Sequence, residues 1–509
     1  MTKKNRRSHE LRVGLILNYV STAVGLIASL LFNPIIIRNL GQSEYGLYET
    51  IGSFVNYLAV LDFGFSAVVA RYTAKYESLG ETKRRDEFLY TARRIYQCLA
   101  GAVVLGGLVL YSLLDVIFGS TFSPAEMEKA HYLFLFVLGT TALSIYGQVY
   151  AGALSGVERF IVPRVIRLAK IIFGKVVCIL VILLGADSVG YTAVLFAFEG
   201  VGFAANKYYA SYIVRFTKCA ISLKEVKELM VFTGFIFLQA IAAQLYWQID
   251  KLVLGAMIGT STVAIYSVAL NLHNVVQNVS SSVKDVLLPK ATRFAVSKTG
   301  QAEIQAFMIR MGRLVLMVYG IAFVGLLALG RSFLSLWLGN EYLDAYNVYV
   351  VLGASSALPC ALTIGETVCR AYNKHQFLSY VSVTSAVINT ALTLVFVNRW
   401  GMMGAVFATA IGLVVGSTII PLLYYKKTFG LQIYGYCKGL FRGVLMALVI
   451  AAVIGIGLNK LLATNSWPIL IAQALLIFMV YLLFMIWTGF DAEERQHFIL
   501  LIKKIFRRA

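Results

Sequence analysis

Charge is scarce in this chain. Only 14% of its 509 residues are Asp, Glu, Lys or Arg, where a soluble protein carries roughly 25%. Proline is scarcer, at seven residues, and the long apolar runs lack the short alternating segments of membrane strands. A water-soluble domain is thereby excluded, and helices are favoured over a membrane β-barrel. The cysteines Cys98, Cys178, Cys219, Cys360, Cys369 and Cys437 include no CxxC pair. They suggest neither a disulfide framework nor a metal site and read as small core-filling residues. No paired-carboxylate, metal-ligand or nucleophile motif is present, and the stretches between apolar runs are short. That speaks against an enzyme such as a membrane glycosyltransferase or polymerase, which needs a sizeable catalytic region. The start, MTKKNRRSHELR, runs straight into a long apolar stretch without a small-residue cleavage site, so it reads as an uncleaved first span.

What is present is apolar: 59% of the residues. The runs divide into about fourteen spans near the roughly 20 residues that a bilayer needs. Their approximate limits are 12–38, 45–70, 93–118, 130–154, 162–185, 189–214, 229–258, 262–288, 308–336, 345–370, 376–398, 402–425, 438–461 and 467–489. The expected fold class is an all-α polytopic membrane protein.

The net charge of +20 would suggest nucleic acid in a soluble protein. Here the cations alternate with the spans. Even-numbered loops carry them, as in Lys83, Arg84 and Arg85, Arg159, Arg164 and Arg167, Lys290, Arg293, Arg310 and Arg313, or Lys426 and Lys427. Odd-numbered loops are short and poor in Lys and Arg. By the positive-inside rule both termini are cytoplasmic, with no role for nucleic acid. The tail, DAEERQHFILLIKKIFRRA, alternates apolar and basic residues and reads as an amphipathic helix on the anionic leaflet.

Residues 40–48, LGQSEYGLY, echo residues 258–266, IGTSTVAIY, with Gly41 over Gly259 and Tyr48 over Tyr266. Residues 183–194 echo residues 397–408, with Gly190 over Gly404. These offsets imply two six-helix lobes in parallel repeat, 12–214 and 229–425, joined by a linker at 215–228. The flanking parts are an N-terminus at 1–11, two extra C-terminal helices at 438–489 and the tail at 491–509. A transporter built this way holds its site between its halves.

Ionisable residues inside a membrane are functional candidates by default. In span 7, Asp250 and Lys251 stand side by side, with Tyr246 on one stripe and Trp247 on the next. In span 5, Arg164, Arg167, Lys170 and Lys175 spread over one broad face. Lys175 is expected near mid-membrane, beside Glu199 of the antiparallel neighbour. The competing reading of each pair is a tie between helices. His273 lies mid-span near Asn271, Asn274 and Asn278, whose spacing makes a polar stripe. As cavity lining, His273 is a candidate for proton coupling; as a core residue, it is not. Tyr246, Trp247 and Tyr266 either stack on sugar faces or pack. Asp62, Arg38, Glu366 and Arg370 are gate or coupling candidates. Glu366 and Arg370, four apart, read first as a helical ion pair. Asn33–Pro34 should open span 1 and leave a carbonyl needing a polar partner.

The stretches NPIIIRNLGQSEYGLYETIGSF and LDFGFSAVVARYTAKY resemble the start of the polysaccharide transporter flippases of the Wzx type. QIDKLVLGAMIGTSTVAIYSVA and INTALTLVFVNRWGMMGAVFATAIG, with Asn389, are similar to later parts of that family. The wider superfamily also holds peptidoglycan lipid flippases and multidrug extrusion antiporters. The resemblance covers spans 1 to 12 and implies a flippase of the bacterial inner membrane. Its cargo would be undecaprenyl-diphosphate-linked glycan, moved between leaflets by alternating access for surface polysaccharide synthesis. Membrane lipids would be its surroundings; a polysaccharide polymerase and chain-length machinery would be its partners. No cofactor is implied, and proton and sodium coupling both stay open. A peptidoglycan precursor flippase and a cation-coupled multidrug antiporter are the alternatives. Lys175 and Lys251 in the deep spans favour an anionic cargo over the antiporter.

Overall fold

The computed structural model describes residues 3–62, 65–219, 223–285, 300–372, 374, 376–462 and 466–490. The amphipathic tail and the basic cluster around Lys290, Arg293 and Lys298 lie outside the described residues. The described chain is helical. Its α-helices are α1 Lys3–Ala59, α2 Phe65–Ser78, α3 Thr82–Ser112, α4 Leu114–Phe118, α5 Pro124–Gly156, α6 Ile161–Leu183, α7 Ser188–Ile213, α8 Leu223–Met257 and α9 Thr260–Asp285. They continue with α10 Gln301–Trp337, α11 Asp344–Ala371, α12 Gln376–Trp400, α13 Met402–Val414, α14 Ile420–Phe429, α15 Ile433–Phe441, α16 Val444–Leu461 and α17 Trp467–Phe484.

Among the described residues, ten helical stretches are long and apolar enough to cross a membrane. The longest, Val20–Ser78, takes in the first two expected spans. α6, α8 and α9 fall on the remaining three expected positions. α6 fails a strict apolar test for a simple reason: Arg164, Arg167, Lys170 and Lys175 all lie in its 23 residues. The second expected span is not one helix. α1 ends at Ala59, a single 3-10 turn covers Val60–Asp62, and α2 starts at Phe65.

The chain packs as two compact units. One comprises Met1–Ser267 with Val397–Met402, the other Val268–Phe396 with Met403–Ala509. In the first, α5 packs against α2, α3 and α7, while α1 packs against α6 and α8. Its core holds Tyr96, Phe118, Phe134, Val149 and Tyr150, all fully buried. In the second, α10 packs against α11 and α16, and α16 against α17.

α1 is continuous except at Gly41, where the backbone turns to φ +80° and ψ 174°. Gly259, between α8 and α9, has φ +130°. Both glycines occupy the left-handed region that a Cβ disfavours. They are the pair that the 218-residue offset superposes, and both carry a positive φ.

In the second unit, Arg313 departs from its expected place in a basic loop. It lies on α10, is 3% exposed and donates to the carbonyl of Gly489. α10 begins at Gln301, twelve residues earlier, so Arg313 sits about 18 Å along the helix at 1.5 Å per residue. The segment Met485–Gly489 is π-helical, and a π-turn frees carbonyls that the regular ladder would satisfy. A buried guanidinium is a suitable donor to one of them.

Candidate functional site

The first unit holds a ladder of polar pairs inside its helices. Its rungs are counted from the end that carries the Gly41 and Gly259 turns.

At the rim, Lys129 Nζ lies 2.5 Å from Glu44 Oε1 and 3.1 Å from Asp187 Oδ2. Glu44 also accepts from the backbone and hydroxyl of Ser188. Asp187 caps α7, accepting from the N–H groups of Val189 and Gly190 at 3.1 and 3.2 Å. Burial works against its charge, but the Gly190 N–H, Lys129 and the Val189 N–H outweigh it and hold the carboxyl below its ordinary value. Ser123 caps α5 in a capping box with Glu126, whose other oxygen accepts from Ser43 at 2.6 Å and Thr260 at 2.8 Å. The rim thus ties α1, α5, α7 and α9.

The next rung joins α1 to α8. Lys251 Nζ donates to Glu49 Oε2 at 2.6 Å. One turn along, Ser53 donates to Gln248 at 3.1 Å. Lys251 is six residues from the end of α8, or about 9 Å below it. The expected Asp250–Lys251 unit is therefore split. Asp250 is 1% exposed and accepts from the Tyr266 hydroxyl. Adjacent residues on a helix point about 100° apart, so the two charges reach different neighbours. Tyr266 is buried by this bond, and Tyr246 is buried against Trp247 at a centroid distance of 5.3 Å. Sugar stacking by Tyr246 or Tyr266 does not fit that placement; Trp247 is half-buried.

Deeper lie the cations of α6. Lys175 donates to Asn33 Oδ1 at 3.1 Å, one residue before Pro34. It is eight residues from the end of α6, about 12 Å in, close to the middle of that 23-residue helix. The expected pair with Glu199 is made by Lys170 instead, at 2.6 Å. The reason is local. A Cβ on Gly202 would lie 2.5 Å from Lys170 Cδ, so the bare glycine gives the lysine stem a path across α7 to the carboxylate one turn away. Lys170 and Glu199 stand about 17–20 Å in, the deepest charges of the ladder.

The other candidates scatter. His273 is fully buried in the second unit, 3.4 Å from Gln277 Nε2 and 3.5 Å from Ser356 Oγ. Asn274 and Asn278 are exposed on the same helix and Asn271 is half-buried. The Asn stripe and His273 therefore face different ways, and His273 is a core residue. Asn389, fully buried, accepts from Thr393 at 3.3 Å and Thr409 at 3.4 Å. Asp62, in the turn before α2, accepts from Gln148 at 3.4 Å. Arg38, Glu366 and Arg370 are exposed on their helices. Among the described residues no group of three or more His, Cys, Asp or Glu is placed to hold a metal ion.

Glu49 escaped the sequence reading. It lies in LYETIG, near the start of the expected span 45–70, and is not among the in-span charges singled out. The available signal was the acid itself inside an apolar span, the same rule that marks Asp250 and Lys251.

The sequence profile described as "Polysaccharide biosynthesis protein" matches residues 11–295, more than half of the chain. The chain belongs to that polysaccharide biosynthesis family. Its α1–α8 ladder lies wholly within the matched region. Two curated relatives extend the likeness. The uncharacterized membrane protein EpsK of Bacillus subtilis is 23% identical over 507 residues, covering 96% of this chain and 97% of EpsK. A Shigella flexneri protein whose name assigns it O-antigen transport is 19% identical over 397 residues, covering 76% of this chain and 91% of that protein. Among solved structures, the lipid II flippase MurJ in an inward closed conformation has the same fold. Its TM-score is 0.72 at 15% identity, over 92% of this chain and 98% of MurJ.

Proposed function

We propose that this family member is a flippase translocating undecaprenyl-diphosphate-linked oligosaccharide across the cytoplasmic membrane by alternating access. The product would feed surface polysaccharide synthesis, beside a polymerase and chain-length machinery. Both termini would be cytoplasmic, as the loop charges require. The observation that carries the reading is Lys175. Lys170 and Lys251 each have a carboxylate partner, whereas the described partner of Lys175 is the neutral Asn33 amide. A half-buried ammonium without a bonded carboxylate suits a diphosphate, which binds Lys and Arg strongly. The family membership and the relative named for O-antigen transport support the same cargo class.

The test is replacement of Lys175 and Lys251 by Ala, separately and together, with membrane levels checked. Surface polymer should fall sharply in the double variant and in Lys175→Ala. Wild-type polymer from the double variant would sink the reading. Intact polymer with accumulation of murein precursor would favour a peptidoglycan precursor flippase instead.

A further inference from the structure

A groove in the second unit stands apart from the ladder. α12 begins at Gln376 and α14 ends at Phe429, and Phe377 stacks on Tyr424 with centroids 4.5 Å apart and planes 21° apart. The start of one apolar helix thus meets the end of another. Phe377, Ile420 and Leu423 are the apolar lining of a cavity of about 660 Å³, which Lys374 and Lys427 also line. Phe377 is 44% and Leu423 55% exposed, so the floor opens outward.

The two lysines are held differently. Lys427 lies in the last turn of α14, where the helix dipole alone would favour a cation. That does not account for Lys374, which belongs to neither helix. The Tyr424 hydroxyl donates to the Lys374 carbonyl at 2.9 Å, and Lys374 Nζ stands 5.7 Å from the Phe429 ring centroid. These contacts fix the Lys374 backbone and set its ammonium near Phe429, and both lysines line the same apolar cavity.

We propose that this groove binds one anionic membrane phospholipid, its phosphodiester between Lys374 and Lys427 and an acyl chain along Phe377, Ile420 and Leu423. Charge complementarity selects the phosphate, and the apolar floor selects a chain attached to it. A soluble anion would leave that floor uncovered. Basic pockets between membrane helices take anionic headgroups for this reason.

The test uses the purified full chain in nanodiscs of phosphatidylglycerol and phosphatidylcholine, with native mass spectrometry counting retained lipids. The wild type should retain one phosphatidylglycerol in preference to phosphatidylcholine. Lys374→Gln with Lys427→Gln should lose that preference by roughly fivefold per lysine. Lys374→Arg with Lys427→Arg should keep it, and Leu423→Asn, with both lysines intact, should weaken it. A wild type without preference, or a Gln variant that keeps it, overturns the proposal. Displacement of the lipid by soluble glycerol phosphate alone also overturns it, leaving a simple anion site.

Discussion

Lys251 of α8 donates to Glu49 of α1 at 2.6 Å, with side chains only 12% and 17% exposed. The two residues stand 202 apart in sequence, yet each lies eight residues, about 12 Å of helix, from a left-handed glycine. At that depth each charge is the other's main compensation for lost water.

Breaking this pair from one side should be costly. Glu49→Gln or Lys251→Met leaves a half-desolvated charge and should lower stability by about 3–5 kcal/mol. Glu49→Leu with Lys251→Met should recover most of that loss. Fluorescence-detected thermal unfolding in detergent gives the comparison. Recovery of polymer export together with stability in the double variant would assign the pair to structure alone.

Gly202→Ala should disturb the deepest rung. The added methyl meets the stem of Lys170 rather than backbone, so the lysine can move aside. The expected cost is about 1–2 kcal/mol, because the move lengthens the Lys170–Glu199 contact. A Tm equal to the wild type would show that the stem has a second path to Glu199.

The rim cluster should weaken in acid. The Asp187 carboxyl is held below its ordinary value of about 4. A depressed folded-state value means that its stabilisation is complete above the ordinary value and is lost as pH falls through the lower one. Asp187 is 40% exposed, so solvent limits the effect to about 1 kcal/mol or less. Asp187→Asn should lower the neutral-pH Tm slightly and flatten its decline in acid. An unchanged acid limb would remove Asp187 as its cause.

Arg313→Ala should destabilise the second unit by about 1–3 kcal/mol, since the buried Gly489 carbonyl loses its donor. Arg313→Lys should restore only part, because a lysine lacks the planar fork. Thermal unfolding separates the three proteins, and equal values for Ala and wild type would show that another donor reaches Gly489.

Much of the ladder was legible residue by residue, and little of it pair by pair. Lys170, Lys175, Glu199, Asp250 and Lys251 stand out because charge is rare in apolar runs. Their partners do not, because a partner depends on stem length and on what lies between two helices. Gly202 redirects Lys170, and Tyr266 takes Asp250 away from its sequence neighbour. His273 and the Asn stripe differ only in which way a short turn faces, and the bury-or-expose choice there belongs to the packing of α9.

By itself, the sequence determined that this is a helical membrane protein of many spans. Apolar run length, the shortage of charge and the alternation of cations in the loops are properties of the chain against a bilayer, and they need no neighbour. It also marked Gly41 and Gly259 as equivalent positions, since backbone that needs left-handed φ selects glycine locally. Only the tertiary structure decided which charges meet. An ion pair such as Glu49–Lys251 forms between residues far apart in the chain, and its geometry exists only once α1 and α8 are packed side by side.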